Sequence, residues 1–298
     1  MNHRSNTIIG VSLALIACML WSFNFIVARG ISAIMPPVSV SFYRWLCASA
    51  IIIPIGYRDF YRQRKLLLKE WKNVLLTTLC GISFYSPLIY LAGHYSPAIN
   101  LALIGTTATP VLTFIIAAIW LKEKIPPVRL LGLFICMAGI ILLLSKGSWH
   151  IIANFRFTVG DKWMLLSALL FALYNIFVRK KNPAISPLGY LFATFILGTI
   201  LLVPPFFIER AHSEPIHWTV NLFLVILYSG AGTSVAAFFC WNAALARIGS
   251  AKTSVFGNTI PVFASLEAIW LLKETVSYIQ VISMVIVTAG LILATAKK

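Results

Sequence analysis

Apolar residues come in ten long runs separated by short polar connections, near residues 8–28, 38–57, 74–93, 98–121, 129–145, 162–179, 188–207, 219–245, 251–272 and 277–296. A helix rises about 1.5 Å per residue and needs about 20 mostly apolar residues to cross the hydrocarbon core of a bilayer. Each run therefore predicts a membrane-spanning helix. The eighth is long enough to include a tilted or extended end. The longest stretches outside these runs, 57–73 and 145–161, are too short to fold as separate domains.

The runs fall into two sets of five that repeat at a spacing of 151 residues. Asn24 matches Asn175, Pro36 matches Pro187, Pro54 matches Pro205, Gly81 matches Gly232 and Ser83 matches Ser234. Further along, Pro110 matches Pro261, Lys122-Glu123 matches Lys273-Glu274, and Gly139 matches Gly290, with no slip in register. Self-similarity at one fixed period marks a fold built from repeated units. Two units are expected, 1–147 and 148–298.

Composition changes the picture only by strengthening it. Hydrophobic residues make up 60% of the chain and charged residues 11%, against roughly 45–50% and about 25% in soluble domains. The net charge of +16 would suit nucleic acid if it formed a basic face with stacking aromatics. Here the basic residues sit in short loops, so no nucleic-acid partner is expected. The partner is the lipid bilayer.

Those loops also set the orientation, because cytoplasmic connections carry the excess of Lys and Arg. With the N-terminus inside, the inner segments hold Arg4, Arg58, Arg62, Arg64, Lys65, Lys69, Lys72, Lys122, Lys124, Arg129, Arg179, Lys180, Lys181, Arg247, Lys252, Lys297 and Lys298. The outer segments hold Arg29, Lys146, Arg156, Lys162, Arg210 and Lys273, which is 17 against 6, with Arg44 inside a span. Both termini are expected in the cytoplasm. Because each unit has an odd number of spans, the second enters the membrane from the opposite side. The expected fold is an all-α integral membrane protein of ten transmembrane helices in two inverted five-helix repeats, a recurrent design of secondary transporters.

With that pattern in place, the chain resembles the ten-span EamA-type members of the drug/metabolite transporter superfamily over almost its whole length. The resemblance is carried by Trp21-Ser22-Phe23-Asn24, the Arg44-containing second span, Pro110 with Leu121-Lys122-Glu123, then Asn175, Pro261 and Leu272-Lys273-Glu274, and Gly132, Gly139 and Gly290 in the last helix of each unit. It implies a carrier of the bacterial inner membrane that exports small metabolites such as amino acids, or takes up or extrudes other small organic compounds, by alternating access, without fixing the substrate. Such a carrier acts as a monomer or weak oligomer. No cofactor is expected, and no metal site, since Cys18, Cys47, Cys80, Cys136 and Cys240 share no ligand spacing.

Several polar positions are candidates for a pathway. Ser83, Ser86, Tyr90 and His94 share a stripe of about 80° on span 3, and polar groups on a membrane helix need protein or water around them. The matching face of span 8 ends at Trp241. Tyr90 and Trp241 read either as related gate residues, one toward each surface, or as members of an interfacial aromatic belt. Pro110 and Pro261, as hinges, each free a backbone carbonyl near the midplane. Thr106, Thr107 and Thr113 surround the first, while Ser254, Asn258 and Ser265 share the face of the second. Asn24 and Asn175 lie beside Trp21 and Tyr174, where an amide either contacts substrate or bonds helix to helix. The substrate-binding set is thus Trp21, Asn24, Ser83, Ser86, Tyr90, His94, Thr107, Tyr174, Asn175, Trp241 and Asn258.

Arg44 and Glu267 are formal charges well inside the spans, both some 8 Å below the outer surface at about 1.5 Å per residue. They read as a charge pair. Glu267 is alternatively a proton-coupling carboxylate or a site for a substrate amine, with protons the candidate coupling ion. Neither has a charged counterpart in the other unit, where Phe195 and Ile116 stand.

The expected function is secondary transport through a cavity formed by spans 1, 3, 4, 6, 8 and 9. An uncoupled facilitator of small neutral solutes is the alternative. An integral-membrane enzyme would need converging catalytic groups, yet His3, His94, His150, His212 and His217 are scattered. A structural or receptor-like membrane protein would not need an inverted repeat.

Overall fold

The computed structural model describes residues 3–32, 34–96, 98–122, 125–154, 157–263, 266 and 277–295, with the backbone alone at 3–5, 23–30, 32, 98–103, 144, 280 and 295. Among the described residues the fold is wholly helical. The helices are α1 (His3–Ser32), α2 (Pro37–Lys69), α3 (Trp71–Tyr95), α4 (Ala98–Trp120), α5 (Pro127–Leu144), α6 (Val159–Lys180), α7 (Pro187–Ala211), α8 (Val220–Ile248), α9 (Ser250–Val255) and α10 (Tyr278–Thr295). A short helix, Trp149–Ala153, lies between α5 and α6. After α9 the chain makes a 3-10 turn, Phe256–Thr259, and is helical again over 260–263.

Among the described residues α2, α3, α6, α7 and α8 are long and apolar enough to cross a membrane. The other units contribute shorter apolar stretches, Asn6–Ser22, Ile104–Trp120, Pro127–Leu143 and Val281–Ala294. The protein is a multi-pass membrane protein.

Helix starts follow local chemistry. Pro37, Pro127 and Pro187 open α2, α5 and α7, where the missing N–H costs no helical bond. Thr158 and Asp161 form a reciprocal capping box at α6. One expectation fails: the stretch after residue 57 is not a loop, because α2 runs on to Lys69. Its charged residues end the apolar run, but Arg, Gln, Lys and Leu are all good helix formers. Leu67, only 4% exposed, fastens this extension to the core. Similarly, the connection after α5 carries the short helix Trp149–Ala153 rather than irregular chain alone.

The most extensive packing joins the two halves: α5 with α10, α2 with α7, α3 with α6 and α1 with α8. Exchanging each helix for its counterpart maps the α1–α8 pair onto α6–α3 and leaves α5–α10 and α2–α7 unchanged. At the α5–α10 contact, Gly139 lies against Val287 and Gly290 against Cys136, and each contact is the other one moved by the repeat period. Gly132 meets Ala294 whereas Gly147, later in the chain, meets Ile279. These helices therefore run antiparallel.

The α2–α7 pair is also antiparallel, and it is fastened at both ends. Near the C-terminus of α7, the Glu209 carboxylate accepts the N–H groups of Val38 and Ser39 at 2.9 and 2.6 Å and the Ser39 hydroxyl at 2.8 Å. At the opposite end, Gln63 Oε1 accepts the Ser186 N–H at 2.9 Å and Asp59 accepts the Ser186 hydroxyl at 2.8 Å. Each helix thus supplies acceptors to the other's N-terminus, where free N–H groups and the helix dipole favour them. Glu209→Ala should cost about 1–2 kcal/mol, read as a lower melting temperature of the purified protein in detergent. Glu209→Gln, which keeps an acceptor but not the charge, should fall between.

Candidate functional site

A cavity of about 80 Å³ opens between the halves, with walls from α1, α2, α3, α4, α6 and α8 and from the chain on either side of the 3-10 turn after α9. At about 30 Å³ per water it has room for about two or three waters, or the same space of a small solute. Much of its wall is aromatic. Trp21 lies 5.0 Å from Trp241 and edge-on to Phe171 and Phe238, each at 5.6 Å. Tyr85 stacks on Phe171 at 4.8 Å. Offset and edge-on rings at such distances add about 0.5–1.5 kcal/mol per pair beyond burial, so the wall is held firm without a ligand.

Two π-helical segments interrupt the helices on either side. They span Leu79–Ser83 in α3 and Ser229–Ala236 in α8, and the repeat period superposes Gly81 and Ser83 on Gly232 and Ser234. A π segment widens the helix and redirects its carbonyls, and such segments collect at functional sites. In α8 the consequence is visible at Thr233, whose carbonyl accepts the Trp21 indole N–H at 2.9 Å and an Arg44 N–H at 3.4 Å. In α3, Gly81 leaves room for the Tyr174 ring, which sits where a Cβ would be.

Arg44 reaches the cavity from α2 and is 4% exposed. Its Nε donates to the Ser234 hydroxyl at 2.7 Å, Nη1 to the Tyr90 hydroxyl at 3.3 Å and Nη2 to the Thr233 carbonyl. The guanidinium also lies 5.4 Å from the centre of the Trp45 ring, and the Trp45 indole N–H donates to Ser86 at 2.9 Å. The repeat is broken here. Phe195 occupies the position matching Arg44 and packs on Trp45 and Phe238. Ser83, the counterpart of Ser234, is correspondingly buried with its hydroxyl unpartnered.

Of the residues singled out in the sequence, Trp21, Arg44, Thr106, Pro110, Trp241 and Ser254 line the cavity. Tyr90 and Ser86 stand behind it, the first bonded to Arg44 and the second to Trp45. Tyr90 and Trp241 are both buried, at 3% and 1% exposure, so neither belongs to an exposed aromatic belt. His94 is exposed at the end of α3, away from that group. Thr107 is half-buried and outside the lining, in which its neighbours Thr106 and Thr109 take part.

Asn175 and Tyr174 act one layer back. Asn175 is fully buried and accepts the Trp241 indole N–H at 2.8 Å, while the Tyr174 hydroxyl donates to Asn242. Asn258 is fully buried and does not line the cavity, unlike Ser254, Gly257 and Ile260 around it. Pro110 lies within continuous α4, whereas buried Pro261 follows the 3-10 turn, so only the second unit departs from α-helical geometry there. The Asn24 side chain, Ser265 and Glu267 lie outside the described residues, and with them the expected Arg44–Glu267 pair. Sequence reasoning missed Tyr85, Phe171 and Phe238, whose matching positions hold Ala236, Leu20 and Pro87. The available signal was the duplicated Gly-x-Ser of the π segments.

A cavity enclosed by apolar helices from two pseudo-symmetric halves fits one class, a membrane transporter rather than an enzyme. The sequence profile of the EamA-like transporter family matches twice, over residues 8–145 and 158–296, and the chain belongs to that family. An uncharacterized transporter of Archaeoglobus fulgidus is 25% identical over 100% of this chain and 99% of its own. A Salmonella typhimurium protein described as a "probable amino-acid metabolite efflux pump" is 25% identical over 94% of this chain and 92% of its own. A solved crystal structure with 20% identity superposes with a TM-score of 0.75, covering 98% of this chain and 96% of that one, which shows a shared fold.

Proposed function

We propose that the chain is a ten-span secondary carrier whose two inverted halves rock about the central cavity, exporting small organic metabolites, amino acids or related compounds, by alternating access. The observation that carries this reading is the antiparallel pairing of counterpart helices, α2 with α7 and α5 with α10, around one cavity lined from both halves. A two-fold scaffold of this kind supplies one geometry for the outer and the inner gate. The described similarity to an efflux pump supports export and the amino-acid class. The excess of Lys and Arg in the helix ends and connections at one face supports an inner-membrane location with both termini in the cytoplasm.

The test is uptake by the purified chain in proteoliposomes, across amino acids, sugars and amines, with and without an imposed proton gradient. Saturable uptake that becomes uphill with the gradient is the expected result for coupled transport. Saturable but gradient-insensitive uptake defines a facilitator, and inactivity of folded protein across the panel overturns the carrier reading.

A further inference from the structure

Arg44 presents an electrostatic imbalance that none of its described partners removes. Arginine stays protonated at any accessible pH, and a charge within a membrane protein is ordinarily compensated by an opposite one. Here the described partners are two hydroxyls and a main-chain carbonyl, all neutral. They fix the orientation of the guanidinium without neutralising it. Of its five N–H donors, those three contacts use three, and the side chain lines the cavity. Two donors have no partner among the described residues, which is the number a carboxylate engages in a bidentate pair.

The rest of the lining tells what is joined to that carboxylate. Among the described residues that line the cavity, Arg44 bears the sole formal charge, so no carboxylate awaits an ammonium group. The lining also includes Trp21, Phe171, Phe238 and Trp241. Resting on the carrier reading above, we propose that the cavity selects small organic monocarboxylates with an aromatic or branched apolar body, the carboxylate on Arg44 and the body against the surface of the four rings. An α-amino group adds nothing to recognition. Substrates of net negative charge are therefore favoured over zwitterions, and both over amines.

The experiment compares 3-phenylpropionate, phenylalanine, phenylalaninamide and phenylethylamine as substrates of the full chain in proteoliposomes, a set that shares one ring and varies the charged groups. The expected half-saturating concentrations are lowest for phenylpropionate, and at least about tenfold higher for the amide and the amine, the difference a lost charge-assisted pair makes. Arg44→Gln should raise the value for phenylpropionate at least about tenfold and lower that of the amine, from which a like charge has been removed, while Arg44→Lys, a point charge without the fork, should recover part of the loss. The wild-type comparison decides the matter if the Arg44 variants do not fold. Amide or amine handled as well as the acid overturns the proposal. So does transport of sugars or amines without any acid, an outcome in which the carrier reading survives. Inactivity toward every compound removes both.

Discussion

Gly132→Val should leave little folded protein, at least about a tenfold drop in monodisperse yield by fluorescence-detected size exclusion. A Cβ at Gly132 would fall 2.6 Å from the Gly290 carbonyl oxygen and 2.7 Å from Ala294 Cα, and against the Ala294 nitrogen as well. All of these are backbone atoms, and no rotamer change moves them away. The reciprocal position is as tight, with Cys136 N 2.6 Å and Gly132 O 2.8 Å from a Cβ built on Gly290. Lipid tails are as apolar as the helix surfaces, so helices in a bilayer are held by close packing more than by hydrophobic burial. A gap of only 0.5–1 Å already forfeits about a quarter to a half of each contact's attraction. Separating α5 from α10 also breaks the Cys136 thiol's bond to the Val287 carbonyl, 3.4 Å long. Gly257→Ala is the control. Among the described residues beyond its chain neighbours, no atom lies within 4 Å of its Cβ, and its folded yield should match wild type.

The glycines of α5 and α10 were legible because close backbone approach leaves a residue type as its trace, and the repeat period pairs Gly139 with Gly290. The helices were legible for a similar reason, since a bilayer demands long apolar runs. That constraint also misleads. It reports where the membrane stops and not where a helix stops, so the charged half of α2 reads as a loop until its helix-forming residues are weighed.

Sites depend on what the period does not repeat. Phe171 and Phe238 line the cavity from positions whose counterparts are Leu20 and Pro87, and nothing local to either residue distinguishes a wall from a packed core. Arg44 was conspicuous as a charge, yet the obvious partner was another charge. Two of its three described partners, Ser234 and the Thr233 carbonyl, owe their position to a π segment, and that depends on hydrogen-bond register rather than on hydropathy. The unpartnered hydroxyl of Ser83 shows the other side of the same asymmetry, because Phe195 offers it no donor.

Trp241→Ala should reduce the transport rate at least about tenfold, and the reason separates wall from support. Trp241 lines the cavity beside Trp21 and Phe171 while its indole N–H is anchored on Asn175. Truncation to Ala removes the ring that a substrate body would meet and costs about 3–5 kcal/mol of packing. Trp241→Phe keeps a ring but leaves the Asn175 oxygen buried without that donor, a loss of about 1–3 kcal/mol. It should fold in reduced yield, with a half-saturating concentration raised less than in the Ala variant. Asn175→Leu reverses the pattern. Asn175 does not line the cavity, so its loss should lower folded yield and melting temperature and leave the half-saturating concentration of the surviving protein close to wild type. An Asn175→Leu protein that folds normally but binds substrate poorly would instead place the amide in contact with substrate. Tyr90, the counterpart of Trp241, is bonded to Arg44 rather than to an amide. Tyr90→Phe should therefore weaken carboxylates more than amines, whereas Trp241→Phe, acting on the apolar body, should weaken both alike.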